Sequence, residues 1–286
     1  MSHGRRSTLL DVFAAGPLEG NALTVVHDAD GLDDDTMLRF ARETRLSETT
    51  FVQTATDPGA DYRNRIWTMS GELPFAGHPS LGTAVAVARA RGERSARYTQ
   101  QTPAGLQPVD VERTGEDRAR ASVVQEPAEF GTEVDPGAAL AAAGLSAEVA
   151  HPELPAQFVS TGVAQLIVPV RAAGDLRELR PDWPAVEDAL GPGAGVVLYL
   201  AAPDPDAATA HARGLFPGGG GTEDPATGSA AGPLMAYLHQ RAGARKLRIT
   251  QGVEMGRPSV LDCAVENDRV RVAGEVVVLM DGRLLL

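Results

Sequence analysis

The chain is poor in the residues that support most covalent and cofactor chemistry. Its 286 residues contain one cysteine, Cys263, and one lysine, Lys246. A single thiol forms neither an intrachain disulfide nor a dithiol redox pair. A single lysine, placed where the strand-like run Lys246 to Thr250 begins, argues against a pyridoxal Schiff base. The six histidines show no HxH or HxxxH spacing, so no metal site is expected. No run approaches the ~18 apolar residues of a membrane span. Met1-Ser2-His3-Gly4-Arg5-Arg6 is basic, but no sustained apolar segment or cleavage site follows it, so the expected location is cytoplasmic. Net charge is −12, with no basic run longer than a pair. Such a surface repels phosphate backbones, so neither nucleic acid nor a membrane is an expected partner.

What is present is a pair of related phrases. Glu72-Leu73-Pro74-Phe75-Ala76-Gly77-His78-Pro79 and Glu223-Asp224-Pro225-Ala226-Thr227-Gly228-Ser229-Ala230 each set an acidic residue and a proline before a Gly-polar pair. A small-residue helical run follows each, Ser80 to Arg91 and Ala230 to Ala242, stopped by Gly92 and Gly243. The Gly77 to Gly92 and Gly228 to Gly243 spacings are equal, and the two units lie about half the chain apart, the pattern of an internal repeat. A helix start presents unpaired N–H groups and a partial positive charge. Two such starts, one per half, suit an anionic small-molecule substrate held in a cleft between the halves.

Short β-like runs frame these phrases. Ser7 to Phe13 and Ala22 to His27 are strands joined by a Gly/Pro loop. Asp33 caps a helix carrying Met37, Phe40, Ala41 and Thr44 on one face and ending near Arg45. That puts Glu48 on the link before a strand, Thr49 to Thr54. Further strands are expected at 63–68, 97–101, 107–112 and 119–124, then at 164–170, 195–201, 247–250, 259–266 and 269–279. Helices are expected at 136–143 and 183–190. The segment from Pro127 to Pro155 reads as Ala/Glu/Pro-rich around the first of these, and Glu266-Asn267-Asp268 as a turn. The Gly218 to Gly221 run is a mobile loop or lid, since no Gly-Lys-Ser/Thr follows it. Residues 191–195 precede a strand and form a turn.

Taken locally, the polar residues have two readings each. Glu48 is either a solvated carboxylate at a helix end or a partly buried one whose pKa rises toward neutrality. His78 is either a helix-capping side chain or a neutral donor or acceptor, since the dipole disfavours imidazolium there. Asp224 braces the Pro225 turn or binds substrate, and Ser229 caps its helix or does the same. Cys263 reads as a buried strand residue, with no histidine near it in sequence.

Together the two phrases resemble the paired motifs of the phenazine-biosynthesis isomerase (PhzF-like) family, which shares its fold with diaminopimelate epimerase. Asp11-Val12-Phe13 with Gly20-Asn21-Ala22 resembles the family's opening strand and turn. Leu46-Ser47-Glu48-Thr49-Thr50-Phe51 resembles its acid/base motif. Ser160-Thr161-Gly162, and Gln251-Gly252 through Met255-Gly256-Arg257-Pro258-Ser259, match it in the second half. One departure is Thr68-Met69-Ser70-Gly71-Glu72, where the family often has a Thr-Pro turn.

The resemblance implies an α+β fold of two pseudo-symmetric lobes, each a curved, mostly antiparallel sheet around a central helix. The lobes are expected at 1–118 and 119–278, with a last strand, about 279–286, returning to the first. It implies an isomerase, homodimeric and without cofactor, that moves a proton within a small amino- or carboxylate-bearing unsaturated or cyclic metabolite in secondary metabolism, phenazine-like or another antibiotic route. Glu48 matches the general acid/base. His78 and Asp224 match catalytic positions, and Gly77, Gly228 and Ser229 match substrate-binding ones. Diaminopimelate epimerases and proline racemases carry two acid/base thiols where His78 and Ser229 stand, so two-thiol racemisation is excluded. A lyase, hydrolase or epimerase acting through Glu48, and a non-catalytic binding relative, are the alternatives.

Overall fold

The structure is a computed structural model that describes residues 4–192, 195–204 and 206–286. The readings of residues 1–3 and of the middle of the 191–195 turn lie outside the described residues. Two compact units form, one from Met1–Val123 with Ala273–Leu286 and one from Val124–Val272.

In chain order the elements begin with β1 (Arg5–Val12), β2 (Asn21–Val26), α1 (Asp34–Thr44), β3 (Glu48–Gln53), β4 (Tyr62–Trp67) and β5 (Glu72–Leu73). They continue through α2 (Gly77–Arg91), β6 (Ser95–Thr102), β7 (Gly105–Arg113), β8 (Arg118–Val124), β9 (Glu129–Val134) and α3 (Pro136–Ala142). Next come β10 (Ala156–Ser160), β11 (Ala164–Pro169), α4 (Trp183–Leu190), β12 (Leu198–Asp204) and β13 (Thr209–Phe216). The chain closes with β14 (Thr222–Asp224), α5 (Gly228–Ala242), β15 (Lys246–Gln251), β16 (Ser259–Glu266) and β17 (Arg269–Leu284).

Local chemistry explains the boundaries. The Asp33 carboxylate accepts from the Thr36 N–H at 2.8 Å and starts α1, and Arg45, at φ 53°, ends it. Gly92 and Gly243 adopt the left-handed conformation that closes α2 and α5. Asn267 and Asp268, both at positive φ, make the tight turn between β16 and β17.

In the first unit, β1 pairs with β2, β3 with β4, β6 with β7 and β7 with β8, all antiparallel. The β2–β3 and β4–β6 pairs are parallel. Residues of β17 from Val276 pair with β1, and β17 also pairs with β8, so the hydrogen-bonded circuit closes and leaves few free edges. Helix α2 packs on β1 to β4, β6 and β7 and is buried continuously over residues 77–88. A helix buried all round carries no amphipathic stripe, and this one is built mostly from Gly, Ala, Val, Ser and Thr, with His78, Pro79 and Leu81 among them.

The second unit repeats the pairing. The β10–β11, β12–β13, β13–β14 and β15–β16 pairs are antiparallel, and β11–β12 and β13–β15 are parallel. Helix α5 packs on β10, β11, β15 and β16 and is buried over residues 230–238. Leu140, Leu176, Val186 and Leu190 make a second apolar cluster where α3 meets α4. Among the described residues no helix is long and apolar enough to cross a membrane.

Several expectations need correction. Glu48 is the first residue of β3, not a link residue, because its backbone pairs in register opposite Leu23. Both central helices start earlier than the small-residue runs, at Gly77 and Gly228. The Pro127 to Pro155 segment holds a strand, β9, whose largely exposed side chains carry no apolar alternation to reveal it. β10 and β13 are likewise additional strands, and the strand expected from Gly195 begins at Leu198. The last strand runs without a break from Arg269 to Leu284.

Gly232 shows how tightly α5 is seated. A Cβ there would lie 1.6 Å from Gln125 Oε1, whose side chain donates to the Gly228 carbonyl at 2.9 Å and accepts from Thr161 Oγ1 at 2.6 Å. Alanine would add about 1 kcal/mol of helix propensity. Displacing buried Gln125 costs about 1–3 kcal/mol through overpacking and lost hydrogen bonds. The expected outcome for Gly232→Ala is therefore a lower urea midpoint, and an unchanged or raised midpoint would contradict this packing.

Candidate active site

In the first unit, Glu48, His78 and Asn21 converge. Glu48 opens β3, Asn21 opens the neighbouring β2, and His78 occupies the first turn of α2. His78 Nε2 lies 3.3 Å from Glu48 Oε2, with side-chain exposures of 5% and 15%. His78 Nδ1 faces the Asn21 side-chain amide nitrogen at 3.2 Å. An amide nitrogen only donates, so Nδ1 accepts and the imidazole proton resides on Nε2. That proton points toward the carboxylate, but the approach is oblique and Nε2 makes no well-aligned hydrogen bond among the described residues. Burial lowers the His78 pKa from its ordinary 6.5 to about 3, so the ring is neutral and the contact is no ion pair.

His78 is not a cap. The N-cap of α2 is Ala76, which offers no side-chain oxygen, and the Ser80 hydroxyl turns back to the Ala76 carbonyl at 2.7 Å. The first N–H groups of the helix, Gly77 included, thus have neither an intrahelical acceptor nor a capping side chain.

In the second unit, α5 begins at Gly228, again without a side-chain cap. Asp224 accepts from the Thr227 hydroxyl at 2.9 Å. Gln251 donates to the Asp224 carbonyl at 2.7 Å and to Thr227 Oγ1 at 2.9 Å, and its Oε1 accepts from Tyr199 at 2.9 Å. Ser229 is one residue inside the helix, and its hydroxyl accepts from Gln165 at 3.4 Å. Asp224, Gly228 and Ser229 are thus held on one braced turn. Gln251, Gln165 and Tyr199 supply bracing that local sequence reading did not single out.

Two arginines were also missed. Arg65 grips Glu72 through one guanidinium edge, Nε and Nη2, and Nη2 also reaches Asp34 at 2.9 Å. Arg213 grips Glu223 in the same way and donates to the Leu176 carbonyl at 2.7 Å. The pairs occupy equivalent register positions, since Trp67 opposes Glu72 on β4–β5 and Leu215 opposes Glu223 on β13–β14. The arginine side chains are 9% and 8% exposed, so each bidentate clamp anchors its acidic turn from beneath. An arginine the same number of residues before each paired position was the available signal.

The repeat differs where chemistry would occur. Thr49 opposes Trp67 in the first unit and Leu198 opposes Leu215 in the second, so Val197 stands where Glu48 stands and an apolar residue replaces the carboxylate. Ser229 stands where His78 stands, and Asp224 where Leu73 stands. Cys263 is buried in β16, where burial pushes its thiol pKa well up, away from a nucleophile's range. The Gly218 to Gly221 run makes a tight turn in which a Cβ on Gly221 would collide with the Trp183 ring.

Residues 10–282 match the family model described as phenazine biosynthesis-like protein (PhzC-PhzF). The chain belongs to this family. Among its PhzC-PhzF relatives is a trans-2,3-dihydro-3-hydroxyanthranilate isomerase of Pseudomonas aeruginosa, 35% identical over 98% of this chain and 99% of that protein. A solved structure from the same organism, described as a predicted epimerase, is 38% identical, covers 99% of both chains and has a TM-score of 0.86. A probable proline racemase from Agrobacterium radiobacter shares the fold at a TM-score of 0.64 and 13% identity. The PhzC-PhzF chain is thus an enzyme of an isomerase family, on a fold with a mixed sheet and few helices.

The buried imidazole has a stability signature. His78 and His27, whose pKa burial lowers to about 4, stay neutral in the folded state while their unfolded counterparts protonate below about 6.5. The unfolded state then binds more protons, so stability is full above pH 6.5 and falls as pH drops toward 4, by up to ~1.4 kcal/mol per unit per histidine. Urea titrations of the wild type and His78→Gln should show a shallower acid loss in the variant, and equal slopes would contradict a neutral buried His78.

Proposed function

We propose that this protein is a cofactor-independent isomerase that moves a proton within a small amino- or carboxylate-bearing unsaturated or cyclic metabolite, in a phenazine-like or other antibiotic route. The carrying observation is the Glu48 carboxylate beside the Nε2–H of neutral His78, both largely shielded from water. Glu48 removes an acidic C–H proton next to the unsaturated system, and the resulting carboxylic acid returns it at another carbon. His78 donates toward the charge that develops, and the uncapped N–H groups at Gly77 and Gly228 bind the substrate's anionic group. Asp224 takes part in catalysis through the substrate's polar substituent, and Ser229 binds it.

A valine at the Glu48-equivalent position of the second unit, Val197, leaves that repeat without a second carboxylate base. This favours one residue acting twice over the two-base racemisation of the more distant relatives. The two units are read as pseudo-symmetric copies, each a curved, mostly antiparallel sheet around its central helix. The protein is further proposed to work as a cytoplasmic homodimer, with neither nucleic acid nor membrane as partner.

The test is turnover of trans-2,3-dihydro-3-hydroxyanthranilate, the compound named for the Pseudomonas aeruginosa relative, followed by solvent deuterium incorporation. Glu48→Gln should fold and bind but lose at least ~10²-fold in kcat, since an amide shuttles no proton. Cys263→Ser should retain activity. An active Glu48→Gln protein would overturn the acid/base assignment, and a wild type inert toward this compound would overturn the substrate reading. Chelator should leave the rate unchanged, and a stoichiometric metal required for turnover would refute cofactor independence.

A further inference from the structure

We propose that Asn21 is a positioning residue that holds His78 as the neutral Nε2–H tautomer, so that His78 acts only as a hydrogen-bond donor. The proposal rests on the reading of Glu48 and His78 as the reacting pair and adds how the second member is set.

The local fold dedicates Asn21 to this task. It is 1% exposed and opens β2, with its backbone opposite Val12. The loop that delivers it is pinned by Asp11, also buried, which accepts from the Leu18 N–H at 2.8 Å. Gly20, immediately before it, sits at φ +67°, and a Cβ there would come within 2.4 Å of the Val12 carbonyl oxygen. Only glycine satisfies both the left-handed backbone and that close approach. The turn therefore brings the Asn21 amide nitrogen within 3.2 Å of Nδ1 of His78.

An imidazole has two neutral forms of nearly equal energy in water, and its neighbours choose between them. Here a donor faces Nδ1 and a carboxylate oxygen lies 3.3 Å from Nε2, so both neighbours select the same form. The ring is buried, and its Nε2–H has no well-aligned acceptor among the described residues. A buried donor in that state is costly unless a group completes it, and the proposed substrate is the group that would. Were the proton on Nδ1 instead, it would clash with the amide hydrogens, and a lone pair on Nε2 would face the carboxylate.

The internal repeat supplies a comparison. By the register that sets Thr49 opposite Trp67 and Leu198 opposite Leu215, Gln165 of the second unit stands where Leu23 stands, and its side-chain amide donates to Ser229. The residue matching His78 there is Ser229, which has no tautomer to set. Each unit brings an amide nitrogen to this position, and in the first it meets an imidazole with a tautomer to set.

The experiment is 15N NMR of protein labelled at histidine, with a His78→Gln spectrum to assign the signals. The expected wild-type result is a non-protonated Nδ1 and a protonated Nε2 that persist from pH 8 to pH 5. Asn21→Asp keeps the shape but replaces the donor by an acceptor, so the His78 proton should move to Nδ1 or the ring should become doubly protonated. Its kcat should fall on the order of 10²-fold, as when one transition-state donor is lost, with KM changing much less. Asn21→Leu, lacking either function, should give a mixture of tautomers and an intermediate rate. Circular dichroism confirms folding of each variant. A wild-type Nδ1–H signal, or an Asn21→Asp spectrum identical to wild type, would overturn the proposal. The tautomer is read without substrate, so that failure is distinct from an active Glu48→Gln enzyme, which would overturn the reaction instead.

Discussion

Much of the first unit follows from burying one helix on every side. Twelve consecutive positions of α2, Gly77 to Ala88, have no solvent face. Most of these positions are small, and a Cβ on Gly82 would approach Leu23, Leu10 and Val12 within 2.9 Å. The polar residues that remain must be satisfied internally, so Thr83 bonds Thr50 at 2.8 Å and Ser80 bonds the Ala76 carbonyl. The same burial holds the His78 imidazole neutral. Composition and protonation state are two results of one packing decision.

The repeat separates scaffold from chemistry. Both units keep the strand pairing, the uncapped Gly-started helix and the arginine clamp on the preceding acid. Breaking such a buried clamp would leave a charge unpaired at a cost of about 3–5 kcal/mol, which accounts for its presence in both copies. The positions proposed for function differ: Glu48 against Val197, His78 against Ser229, Leu73 against Asp224. A duplicated frame tolerates this, because a site depends on the few side chains mounted on it and not on the fold that carries them.

Sequence reading succeeded where local forces decide. Asp33 and Arg45 bound α1 as expected because caps and left-handed termini act over one turn. Trp183–Leu190 and Ser259–Glu266 were legible as a helix and a strand from periodicity and flanking turns. It failed at β9, whose residues are mostly exposed, and at β13, where alanine, glycine and a central arginine conceal a strand. Arg213 sits inside that strand only because Glu223 and the Leu176 carbonyl receive its charge. Glu48 was placed one residue outside its strand because its partner Leu23 is distant in sequence.

The sequence by itself determined the repeat, the family and the identity of the polar residues, since these depend on residue type and order along the chain. It also excluded disulfide and two-thiol chemistry by counting one cysteine. The tertiary structure alone decided which polar atoms meet. Asn21 and His78 are 57 residues apart in sequence, yet 3.2 Å separates the two nitrogens. That distance results from a glycine-directed turn, a parallel strand pair and a buried helix acting together. A tautomer and a depressed pKa are properties of an environment, and that environment exists only once the chain has closed around the imidazole.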